Sequence, residues 1–139
     1  MNFEFAAPRR VLFGPGTLKQ AGHLARELGR RALVATGRDS ARAEPLLRLL
    51  EAQGIFATIF SIPGEPTTDL VRQGTARAAE AGADLVIGFG GGSPLDAAKA
   101  IAALATNGGD PLDYMEVVGK GLPLTKPSLP MLAIPTTAG

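Results

Sequence analysis

From Arg10 onward the sequence changes repeatedly between two hydrophobic periods, and this alternation constrains the fold more than any other property of the chain. Arg10-Val11-Leu12-Phe13-Gly14 predicts a short strand. From Thr17 to Gly29 apolar residues fall at Leu18, Ala21, Leu24, Ala25 and Leu28, the spacing of one helical face, with Thr17 as cap and Gly29 as stop. Ala32–Ala35 reads as a buried strand. A helix over about 41–53 follows, expected to bury Leu46, Leu47, Leu49 and Leu50. Ile55–Ile62 is β-branched and aromatic and predicts a strand. The plan then repeats: a helix from Thr67-Thr68-Asp69 to Ala81, a strand over Asp84–Phe89, and a helix opened by Ser93-Pro94 and closed near Asn107. A turn at Asp110–Met115 and a strand over Pro130–Pro135 complete it. Strands alternating with helices of this length predict an α/β fold: a Rossmann-like, doubly wound parallel sheet with helices on both faces. In such sheets ligands bind beyond the carboxyl ends of the strands, where strand order reverses.

Composition narrows the alternatives. The 139 residues suffice for one domain and one core. The 18 glycines and 11 prolines lie in discrete clusters without a G-X-Y period, so they mark turns between many short elements and exclude collagen. The net charge of +1 argues neither for nor against an acidic partner, but no run of like charges exceeds two residues, and one Tyr with no Trp leaves little for stacking bases, so nucleic acid is disfavoured. The absence of Cys excludes a disulfide framework and a catalytic thiol and agrees with a reducing, cytoplasmic setting. No apolar run approaches the ~18 residues of a membrane span, and Met1-Asn2-Phe3-Glu4-Phe5 does not open a signal peptide.

The sharpest chemical signal is Gly88-Phe89-Gly90-Gly91-Gly92-Ser93-Pro94-Leu95-Asp96-Ala97-Ala98-Lys99. Consecutive glycines let backbone approach a ligand with no Cβ between them. Ser93 is expected at the N-cap, Pro94 at the first helical position and Asp96 at the third. Free first-turn amides and the helix dipole there favour a phosphate, so the junction reads as a pyrophosphate seat. It is neither G-x-G-x-x-G, which needs glycine at Ser93, nor a Walker loop, because no Gly-Lys-Ser/Thr follows.

The G-G-G-S-x-x-D-x-x-K pattern at 90–99 resembles the iron-containing (group III) alcohol dehydrogenases. So do Pro8-Arg9-Arg10-Val11-Leu12-Phe13-Gly14-Pro15-Gly16, the Asp113-Tyr114 pair and the terminal Ile134-Pro135-Thr136-Thr137-Ala138-Gly139. The resemblance implies that residues 1–139 are an N-terminal dinucleotide-binding domain. Gly91, Gly92 and Ser93 would bind the pyrophosphate, Asp96 would lie on the nicotinamide side, Lys99 would support the helix, and Thr136 and Thr137 would contact the nucleotide. Relatives that prefer NAD often carry Asp where Gly37 falls. Glycine there removes a carboxylate that would repel a 2′-phosphate, and Arg38 could pair with one, which favours NADP over NAD. Where many relatives have Asn-Pro-Thr, this chain has Glu65-Pro66-Thr67, and no role is carried onto Glu65.

The family's metal site, one Asp and three His for Fe or Zn, belongs to a helical domain beyond the nucleotide-binding one. This chain has one histidine, His23, expected on the surface of the first helix. No metal ligand or catalytic residue is assigned, and the chain alone is expected to be inactive in hydride transfer. A complementing C-terminal domain or a homo-oligomer is the expected partner, with Phe3-Glu4-Phe5 a candidate edge strand between subunits. Two readings remain open: a non-catalytic nucleotide-binding or interaction module, and the same domain from a glycerol dehydrogenase or maleylacetate reductase.

Overall fold

The computed structural model describes residues 8–137. Four parallel strands, β1 (Arg31–Thr36), β2 (Phe56–Ser61), β3 (Leu85–Gly90) and β4 (Met131–Pro135), pair in the order β2-β1-β3-β4. The helices are α1 (Ala21–Leu28), α2 (Glu44–Ala52), α3 (Thr68–Glu80), α4 (Gly92–Asn107) and the single turn α5 (Pro111–Tyr114). This is the Rossmann-like α/β architecture predicted by the alternation of periods.

The two central strands are near-continuous apolar runs because both of their faces are covered. On one face Ala32, Val34, Leu85, Ile87 and Phe89 pack with Ala25 of α1 and Leu46 and Leu50 of α2. On the other, Leu33, Ala35 and Val86 meet Val71 and Ala78 of α3 and Ala98, Ile101 and Ala102 of α4. Each fully buried Leu, Ile or Val contributes ~1.5–3 kcal/mol relative to exposure, so these two clusters outweigh any single polar contact. Small residues set the spacing. A Cβ on Gly22 would lie 2.6 Å from the Leu49 carbonyl oxygen, and one on Gly88 would lie 3.1 Å from the Ala98 Cβ. Only glycine lets α1 meet α2, and α4 meet β3, at these distances. The amino edge of the sheet is closed by Asp84, whose carboxylate accepts the backbone amides of Arg30 and Arg31.

Several local expectations are corrected. Residues 10–13 form no strand, and Phe13 is fully exposed, since no neighbouring strand among the described residues offers it partners. The first helix divides into a 3₁₀ turn, Thr17–Gln20, and α1, and the turn starts after Gly16 in a left-handed conformation with no side-chain cap. The second begins as a 3₁₀ turn, Ser40–Ala43, before α2, and buries Leu46 and Leu50 while Leu47 and Leu49 are half-buried. The Asp110–Met115 turn is helical, closed by a reciprocal capping box between Asp110 and Asp113. Phe3-Glu4-Phe5 and Ala138-Gly139 lie outside the described residues.

Candidate functional site

Strand order reverses between β1 and β3, so the carboxyl ends of these two strands diverge to opposite connections and leave a crevice. Thr36 lies level with Ser61 and Phe89, and Gly90 level with Pro135, which brings the segments after all four strands to one edge.

The glycine turn forms the middle of this edge. Gly90 has φ 141°, a conformation that side chains rarely adopt, and a Cβ there would meet Pro94 Cγ at 2.7 Å. The same Cβ would stand 3.7 Å from the Gly37 amide nitrogen, so the ends of β1 and β3 meet at this point. On the other side the Thr136 amide donates to the Gly90 carbonyl at 2.9 Å, and a Cβ on Gly91 would reach Thr137 Cγ2 at 3.6 Å. Gly37 and Gly92 have nothing within 4 Å of the Cβ position. These two are open places in an otherwise close-packed turn.

Helix α4 starts two residues earlier than expected. Its N-cap is Gly91, without a side-chain hydrogen bond, so Ser93 lies inside the first turn, Pro94 is buried beneath it, and Asp96 is the fifth helical residue. Pro94 Cγ, pressed toward Gly90, fixes the entry of the chain into the helix. The backbone amides of Gly92 and Ser93 have no carbonyl one turn back and face the crevice end of a sixteen-residue helix.

The structure thus brings Gly37, Gly91, Gly92, Ser93, Thr136 and Thr137 to one edge. Arg38 lies beside them but is engaged with the end of β2: Nε and Nη2 donate to the Pro63 carbonyl at 3.3 and 3.1 Å. Asp39 accepts the Ala41 amide through Oδ1 at 3.2 Å, a local cap on the 3₁₀ turn. Asp96 is further along α4, 3.6 Å from Lys99, and lines a separate groove of about 350 Å³ with Thr67, Thr68, Tyr114 and Met115. Both Ser61 and Pro63 contact the Gly37-Arg38 turn; Pro63 falls in the segment after a strand, where ligands are expected, whereas Ser61, inside the strand, carries no sequence signal that would single it out.

An ionic cluster stands beside that groove. Arg72 of α3 joins Asp110 through Nε and Nη2, the latter at 2.9 Å, and also reaches Asp69. The Arg72 side-chain hydrogen bond, with the Leu112 amide second, holds the Asp110 carboxyl at about 2 against an ordinary 3.8. Asp113 is likewise lowered, chiefly by the Asp110 backbone amide and then by Lys120, whose own ammonium is raised by Asp113. The cluster fastens α5 to α3, and the Tyr114 hydroxyl donates to the Gly108 carbonyl at 2.8 Å.

Among the described residues no group of three or more His, Cys, Asp or Glu could hold a metal ion, and His23 is exposed on α1. The described residues do not fit an Fe or Zn centre. No helix among them is long and apolar enough to cross a membrane.

Comparison with known proteins gives consistent matches. Residues 8–139 match the family model described as iron-containing alcohol dehydrogenase. A probable alcohol dehydrogenase, EutG, of Escherichia coli is 38% identical over 97% of this chain and 34% of its own length. The structure of an NADH-dependent butanol dehydrogenase from Thermotoga maritima superimposes with a TM-score of 0.85 at 29% identity, covering 97% of this chain and 34% of that one. A sulfoacetaldehyde reductase from Bifidobacterium kashiwanohense, solved with NAD+, gives 0.84 at 27% identity over 100% of this chain and 37% of that one. The chain therefore spans about a third of the length of the relatives it matches.

Proposed function

The chain belongs to the iron-containing alcohol dehydrogenase family, and from that premise we propose that it is the nicotinamide-dinucleotide-binding domain of such an enzyme. One observation carries the reading: the Gly90-Gly91-Gly92 turn lies at the strand-order reversal, between Gly37 and Thr136-Thr137, and opens directly into a long helix. The residues present fit a dinucleotide. A Cβ at position 91 would narrow the gap to Thr137, and the bare backbone of 91–93 offers amides to a pyrophosphate. Gly91, Gly92 and Ser93 would hold the pyrophosphate, and Thr136 and Thr137 the adjoining nucleotide. Asp96 would meet the nicotinamide side where the dinucleotide extends from the glycine turn into the groove that Asp96 lines with Thr67, Thr68 and Tyr114. When bound, the nicotinamide accepts or donates hydride at C4; the chain's own residues bind and orient it.

The proposed preference is NADP, with NAD also accepted. Gly37 presents no carboxylate to a 2′-phosphate, and Arg38 lies next to it. The Asp39 carboxylate accepts the Ala41 amide through Oδ1, which ties it to the 3₁₀ turn rather than to the Gly37 turn. The two structural neighbours named above are NADH-dependent or carry NAD+, so the lean to NADP rests on this chain's own turn.

The relatives are about three times as long, and in this reading the metal centre belongs to the part of the enzyme that this chain does not span. The exposed Val117, Val118, Leu122 and Leu124 on the loop after α5 are apolar surface that such a companion domain, or a second copy, would cover. Titration of the isolated chain with NADPH and NADH by fluorescence tests the reading. Weak but saturable binding is expected, with no alcohol oxidation on adding Fe²⁺ or Zn²⁺. Failure to bind either nucleotide, or robust turnover by the pure chain, would overturn it.

A further inference from the structure

The turn that follows β1 is held from outside by the end of β2. The Ser61 hydroxyl donates to the Gly37 carbonyl at 3.0 Å, and the Thr36 hydroxyl reaches the same oxygen at 3.2 Å. Both lone pairs of that carbonyl are therefore occupied, which fixes the Gly37–Arg38 peptide plane. Two residues on, the Pro63 carbonyl receives the Nε and Nη2 hydrogens of Arg38, and the Ile62 amide donates to Thr36 at 2.7 Å. Arg38 is otherwise an exposed side chain on a turn and would be free to sample many rotamers.

Pro63 occupies only one edge of the guanidinium. Arg carries five donors in a rigid planar fork, and the side edge formed by Nε and Nη2 is spent here. The end-on edge, made of Nη1 and the second Nη2 hydrogen, has no partner among the described residues and has the geometry that binds phosphate oxygens in pairs. A guanidinium already oriented loses less rotamer entropy when it captures an anion.

We propose that Ser61 is a positioning residue for cofactor selection: by clamping the Gly37 carbonyl it sets the Gly37–Arg38 plane, so that Arg38, steadied on Pro63, presents its free edge to a 2′-phosphate. The inference rests on the NADP reading above. Ser61 itself touches no cofactor. Its effect falls on the phosphate-bearing nucleotide and spares the one without it.

Dissociation constants for NADPH and NADH, with melting temperatures, in the wild-type chain, Ser61→Ala and Ser61→Thr provide the test. The expected result is a three- to tenfold weakening of NADPH in Ser61→Ala with NADH changed less than twofold. Ser61→Thr, which keeps the hydroxyl, should restore the wild-type ratio. Equal weakening of both nucleotides, with or without a fall in melting temperature, would make Ser61 a purely structural residue and overturn the proposal. A wild-type chain that prefers NADH would instead overturn the NADP reading, and the positioning role with it.

Discussion

Gly90 and Pro94 are packed so closely that a Cβ on residue 90 would lie 2.7 Å from the proline Cγ. The contact makes the glycine turn a rigid part of the helix entry. It also separates two glycines that look equivalent in the sequence. Gly90→Ala combines this overlap with φ 141° and should cost ~1–3 kcal/mol in stability. Gly92→Ala meets nothing within 4 Å and should leave the melting temperature within about 2 °C while weakening NADPH and NADH together. Thermal melts and nucleotide titrations of both variants distinguish the roles, and unaltered binding in Gly92→Ala would remove residue 92 from the site.

Gly37→Asp should reverse nucleotide preference. No atom lies within 4 Å of its Cβ position, so the carboxylate can be added without displacing the turn. It would accept from a ribose hydroxyl and repel a 2′-phosphate. Arg38→Met should weaken NADPH alone, by roughly tenfold or more, the scale of a lost charge-assisted hydrogen bond of ~1.5–3 kcal/mol. Competitive titration of the two nucleotides reads both changes, and a preserved NADPH preference in either variant would contradict the assignment.

The Asp110 carboxyl, held at about 2 by Arg72, makes a definite prediction in acid. A carboxylate with a lowered value contributes stability that is complete above its ordinary 3.8 and fades as the pH falls toward about 2. Asp110→Asn should therefore lower the melting temperature at neutral pH and flatten its decline across that acid window. Lys120, raised by Asp113, works in the opposite sense, contributing fully below its ordinary 10.5 and losing that contribution as pH climbs past it. Melting curves from pH 2 to 11 check both limbs; an Asp110→Asn acid limb parallel to wild type would count against the first.

Gly22 and His23 are adjacent on α1 but face different surroundings. A Cβ on Gly22 would meet the Leu49 carbonyl oxygen at 2.6 Å, and backbone of α2 cannot yield as a side chain could. Gly22→Ala should cost ~1–3 kcal/mol by urea denaturation. His23→Ala, on the exposed face, should stay within ~0.5 kcal/mol and leave nucleotide binding unchanged. An effect of His23→Ala on binding would require a role for it that the fold does not suggest.

The alternation of periods was enough to predict the parallel sheet with two helical layers, because buried central strands and amphipathic helices are each written in local hydrophobic spacing. The glycine run at 90–92 and its resemblance to a family were likewise legible, since close backbone approach leaves few residue choices. Local pattern misled where a segment's fate depends on its neighbours. Residues 10–13 are strand-like in composition, yet a strand needs hydrogen-bonding partners that this stretch lacks among the described residues. Ser93 is a good cap residue, but the turn at Gly90 and the ring of Pro94 carry the helix start back to Gly92.

The sequence by itself determined the layers, the glycine-rich motif at 90–92 and the family. Only tertiary structure decided which residues surround that motif. That Gly37 stands against Gly90, that Thr136 bonds to it, and that Ser61 and Pro63 hold the Arg38 turn follow from strand order and register. Contacts between residues tens of positions apart are set by how parallel strands align. That alignment results from packing the whole sheet between its helices, and no local run of residues encodes it.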